Sequence, residues 1–144
     1  MSRTQAQALI TGALTSVLVG ILTVIVVATT MRNAQQLAAA GWVGSFWMNM
    51  MAGATAAIVS ARRATQVYED PRLGRIIGSA LGLWSGLGAI IGQICTALFT
   101  RAAYGVQIPA GQIVVFSMVL LIICIIAASI AGREAAQPKE EEEA

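Results

Sequence analysis

Four long apolar runs, at about residues 8–30, 42–61, 76–100 and 109–131, make up most of the chain, and its polar residues collect between them. No Asp, Glu, Lys or His interrupts any of these runs. Each is about 20 to 25 residues long, which as a helix crosses a hydrocarbon core of about 30 Å. The pattern predicts an all-α fold: a polytopic membrane protein with a four-transmembrane-helix bundle over residues 1–132 and an acidic tail over 133–144. The first run is too long for the apolar core of a signal peptide, about 7–15 residues, and is read as a retained span.

A second pattern lies inside the third run. Gly74, Gly78, Gly82 and Gly86 recur every four residues, and Ser85, Ala89, Gly92, Gln93, Thr96 and Thr100 continue the same side. At about 100° per residue these positions cover roughly a third of the helix circumference. Leu81, Trp84, Leu87, Ile91 and Leu98 form the bulky side. In water such glycine density costs about 1 kcal/mol per residue relative to alanine. In lipid, small residues let helix backbones approach and drive association. The second run carries a comparable face of Ser45, Asn49, Ala52, Gly53, Ala56 and Ser60, and the first repeats Ala8, Gly12, Ser16 and Gly20. The expected arrangement is a tight pair of spans two and three pressed together through their small faces, with spans one and four flanking. Trp84 and the Gly12/Gly20 stripe are then candidate partner surfaces. The stripe resembles the glycine zippers of several unrelated membrane proteins, a motif that reports packing rather than family.

Composition agrees with a membrane setting: 57% of residues are hydrophobic and 11% charged, against about 25% charged in soluble domains. The placement of charge orients the chain. With the N-terminus inside, Arg3, Arg62, Arg63, Arg72, Arg75, Arg133 and Lys139 share one side, and only Arg32 and Arg101 lie on the other. Seven against two predicts cytoplasmic N and C termini, and the expected setting is a prokaryotic cytoplasmic membrane. Arg62, Arg63, Arg72 and Arg75 form a cluster suited to lipid headgroups. Glu69 and Asp70 within it argue against nucleic acid. Asp70-Pro71 reads as a turn or helix start, Pro109 suits the first turn of the fourth helix, and Gly132 reads as its stop. The tail, with Pro138, Lys139 and Glu140 to Glu143, is too polar to fold alone. It is either a solvated end or a docking strip for a basic partner.

Candidate chemistry is sparse. Asn49 and Gln93 are the strongest polar groups within the runs, each seven residues from the outer end of its span, and each on a small-residue face. Equal depth predicts a hydrogen bond between them. They serve either as glue between helices or, with Thr96, as a polar constriction in a permeation path. Trp84, away from the aromatic belt of Trp42, Phe46, Trp47, Phe99 and Tyr104, is a packing residue at a helix or subunit contact, or a ligand contact. Cys95 and Cys124 lie at different depths and read as packing residues rather than a disulfide. Without histidine, imidazole ligation of haem or chlorophyll is excluded. Without a carboxylate in a span, an intramembrane proton relay is disfavoured. Small multidrug exporters depend on an acid in their first span, which this chain lacks. No nucleophile–base arrangement or phosphate-cradling loop is present. The expectation is therefore a non-enzymatic protein with no cofactor and no metal. It acts as an accessory or assembly subunit, or a self-associating scaffold, contacting membrane lipids and other membrane subunits or itself. The alternative is an oligomeric pore or carrier lined by the stripe.

Overall fold

The computed structural model describes residues 3–30, 33, 36 and 40–136. Among them are four long helices, α1 (Arg3–Thr30), α2 (Trp42–Thr65), α3 (Pro71–Tyr104) and α4 (Ala110–Ala135), and no strand. By length and apolarity α1, α3 and α4 can each cross a membrane. In α2 the apolar character is diluted by Ser45, Asn49, Ser60 and the Arg62–Arg63 pair. The connection after α1 falls mostly outside the described residues, as does the tail beyond Ala136.

Local chemistry sets the helix ends. The Asp70 Oδ1 accepts a hydrogen bond from the Arg72 backbone N–H at 3.0 Å, and Pro71 occupies the first turn of α3, a favourable pairing of cap and pre-set φ. At the other end Gly105 takes φ 67°, a left-handed turn that frees the chain to enter α4. Gly132 does not stop α4, which runs on to Ala135. Its missing side chain serves packing instead: a Cβ there would collide with the Gly74 carbonyl oxygen and lie 3.0 Å from the Gly78 Cα.

The glycine stripe meets different partners from those its pattern suggested. On its first half α3 runs antiparallel to α4. A Cβ on Gly74 would strike the Gly132 carbonyl, one on Gly78 the Ala128 carbonyl, and one on Gly82 would lie 2.7 Å from the Cys124 carbonyl oxygen. On its second half α3 runs parallel to α1. A Cβ on Gly88 would collide with the Leu9 carbonyl oxygen and lie 2.8 Å from the Ala13 backbone N, Gly92 faces Ser16, and Gly12 of α1 receives the Ser85 carbonyl. The Gly12/Gly20 stripe is thus filled by α3 and is not a free partner surface. Contact with α2 is looser. A Cβ on Gly53 would meet Cys124 Sγ at 3.3 Å, Ala89 Cβ at 3.5 Å and Leu120 Cδ1 at 3.5 Å, which are side-chain neighbours rather than backbone. So α2 and α3 are not the tight pair. The physical reason is that two backbones, α4 and then α1, already occupy the side of α3 that lacks side chains, leaving α2 to pack through its alanines. Ala57 and Ala61 of α2 join Ala89, Leu120, Cys124, Ala128 and Ala131 in the central core.

At the end of the bundle opposite Arg62, Arg63, Arg72, Arg75 and Arg133, Phe116 of α4 stacks on Phe46 at 4.3 Å and on Trp42 at 6.3 Å between ring centroids. Trp42 is 1% exposed and Phe46 7%, whereas Trp47 is 56% exposed. Two of the three belt aromatics expected on α2 therefore fasten it to α4.

Gly78→Ala places a methyl on a backbone oxygen and should lower stability in mixed-micelle unfolding by about 1–3 kcal/mol. Gly44→Ala, whose Cβ would meet only Thr23 Cγ2 at 3.7 Å, should stay within about 0.5 kcal/mol of the parent. Equal effects would contradict the backbone contact.

Candidate functional site

Polar groups buried within the bundle concentrate where α1, α2 and α3 converge. Asn49, Gln93, Thr96, Ser16 and Ser85 are each fully buried. The Asn49 Nδ2 donates to Gln93 Oε1 across the α2–α3 boundary. Gly20 of α1 closes over this pair, since a Cβ there would collide with Thr96 Oγ1 and lie 3.1 Å from Asn49 Nδ2. Thr96 Oγ1 donates to the Gly92 carbonyl at 2.9 Å within its own helix. Ser16 Oγ donates to the Ala89 carbonyl at 2.9 Å, a bond from α1 to α3. The helices meet there because each presents a small residue at the depth where its neighbour presents a polar one.

The layer has hydrogen-bonding capacity in reserve. Asn49 Oδ1, Gln93 Nε2 and Ser85 Oγ are buried without a partner among the described residues, as are Trp42 Nε1 and Ser117 Oγ elsewhere. An unmet buried polar atom costs about 1–3 kcal/mol. One acceptor and one donor therefore remain beside the amide bond that holds α2 to α3. Among the described residues no cluster of three or more His, Cys, Asp or Glu could hold a metal ion. Cys95 and Cys124 are free thiols.

The arginine cluster read from the sequence separates in space. Arg62 turns to Glu134 at 4.0 Å, with both side chains more than 60% exposed, a pair of little energetic weight. Arg63 lines clefts beside Thr4 of α1. Arg72 and Arg75 line a different cleft together with Arg133 of α4, a residue outside the expected cluster. Trp84 is half-buried, on the side of α3 that exposes Leu83, Ile91 and Leu98, whereas Leu81, counted with that bulky side, is only 3% exposed.

Some contributors, Gly88, Ala128 and Ala136 among them, lie outside the residues singled out from the pattern. Gly88 extends the four-residue series of Gly92 and Thr96. Cys124, Ala128 and Gly132 of α4 and Ala136 just past its end recur every four residues, a repeat visible in the sequence and hidden by the surrounding leucines and isoleucines. No family model, curated protein or solved structure matches the chain.

Asn49→Leu alone strands the Gln93 amide and should cost about 1–3 kcal/mol. Gln93→Leu alone should do the same to Asn49. The double replacement removes every unmet atom of the pair and should cost less than the sum of the singles, by about 0.6–2 kcal/mol of coupling in a mixed-micelle unfolding cycle. Strict additivity would show that the two amides do not interact.

Proposed function

We propose that this chain is a small integral membrane subunit whose activity is helix packing. It is an accessory or assembly component of a membrane complex, or a scaffold that associates with copies of itself. In this reading all four helices cross the bilayer, with both termini on the cytoplasmic side and α2 stabilised by the company of the others. The observation that carries the proposal is the use to which the stripe is put. Gly74, Gly78 and Gly82 lie on α4, and Gly88 and Gly92 lie on α1. A pore would need that surface wet and open. The two strongest polar side chains are likewise turned on each other.

The partner surface must then lie on the outer faces. The side of α3 that carries Trp84 is the best candidate, because Leu83, Ile91 and Leu98 are exposed there around a half-buried indole. Tryptophan is over-represented among the residues that dominate binding energy at interfaces. The alternative, an oligomeric pore or carrier, draws its support from the unpartnered Asn49 Oδ1 and Gln93 Nε2, which could serve a passing polar solute once the helices part.

Purification in mild detergent followed by mass determination tests the proposal. The expected particle is heavier than one chain, and Trp84→Ala should weaken its assembly by about tenfold or more with helicity unchanged. A solitary chain would overturn the reading. It would also be overturned by solute flux in liposomes that Asn49→Leu abolishes while assembly stays intact.

A further inference from the structure

Where the beginning of α3 lies against the end of α4, a cleft of about 400 Å³ opens between Asp70, Pro71, Arg72, Arg75 and Arg133. Its position follows from close backbone packing. Gly74 rests on the carbonyl of Gly132 and Gly132 on the carbonyl of Gly74, so the next residues along, Arg75 and Arg133, are brought to one site on two helices locked together. The packing that joins the helices therefore also gathers like charges.

Little nearby offsets that charge. Glu134, the neighbour of Arg133, approaches Arg62 instead. The one acid lining the cleft, Asp70, has its Oδ1 engaged by the Arg72 backbone N–H at 3.0 Å. Among the described residues, Arg72, Arg75 and Arg133 have no ion-pair partner, so three guanidinium groups face one carboxylate. The N-terminus of a 34-residue helix adds the positive end of its dipole. Convergent guanidinium groups suit the several oxygens of a phosphate, which they can bond in parallel pairs. A basic pocket between helices at this level of a bilayer is where anionic headgroups are held.

We infer that the Arg72–Arg75–Arg133 cleft is a phosphate-binding site. It is filled by the headgroup of an anionic phospholipid or by a soluble phosphate ester. Arg133 is the residue that makes it a site rather than a charged surface, because it closes the cleft from the second helix.

Native mass spectrometry of the full chain in mild detergent tests this, with dioleoyl phosphatidylglycerol, dioleoyl phosphatidylcholine and glycerol 3-phosphate as probes. The expected result is one phosphatidylglycerol retained per chain in preference to phosphatidylcholine. Arg75→Gln and Arg133→Gln should each weaken retention about fivefold. Arg63→Gln, which removes a charge from the same end but a different cleft, should leave it unchanged. Circular dichroism and elution volume should be the same for all variants. Glycerol 3-phosphate binding as tightly as the lipid, with the same arginine dependence, would assign the site to a soluble ester. Equal retention by the parent and the Arg75→Gln/Arg133→Gln double variant overturns the inference. So does an Arg63→Gln effect as large as theirs. Retention seen only after residues 137–144 are removed would assign the cleft to the chain's own glutamates and overturn it as well.

Discussion

Carbonyl oxygens of α1 and α4 sit where side chains of α3 would otherwise be. Leu9 offers one at Gly88 and Ala128 another at Gly78. Lipid tails are as apolar as leucine, so burial of apolar surface cannot pull helices together in a bilayer as it does in water. What remains is the dispersion gained when surfaces touch closely, small per atom pair and large in sum. Helix α3 provides that contact by placing glycines at repeated positions along one face. It first serves α4, then passes the same surface to α1. Every other feature of the bundle is arranged around this shared central strut.

The polar layer and the aromatic stack do a different kind of work from the glycines. A glycine surface is smooth, and by itself it tolerates sliding. The Asn49–Gln93 bond and the Ser16–Ala89 bond each join specific residues on different helices, so they set register. The Phe46–Phe116 stack does the same for α2 against α4. Held by alanine packing, one amide bond and these rings, α2 depends on side chains for its place against α3 and α4.

Much of this was legible in the residue pattern, and the limits of that reading have a physical cause. A four-residue repeat of small side chains identifies a contact face, because the helix period places those positions together. It does not identify what fills the face, and α1, α2 and α4 all carry repeats of similar spacing. The matching depths of Asn49 and Gln93 correctly brought those two amides together. Extending that pairing to whole helix faces failed, because one hydrogen bond locates two side chains and not two backbones. Gly132 was misread for a related reason. Near a charged tail a glycine resembles a helix stop, and only the facing Gly74 reveals it as a point of close approach. The Arg133 contribution was illegible because it depends on which helix ends lie side by side.

The parallel contact of α1 with α3 bears on how the bundle is built. Its members are far apart in the chain: Ser16 reaches Ala89 across 73 positions. During synthesis from the N-terminus α1 is made well before α3 exists, and its Ser16 hydroxyl then has no Ala89 carbonyl to meet. The α3–α4 contact, by contrast, closes over a short turn as soon as both segments have emerged. Contacts near in sequence form ahead of distant ones. The α3–α4 contact thus needs only adjoining stretches of chain, whereas the α1–α3 contact has to wait until a segment more than seventy positions downstream has been made.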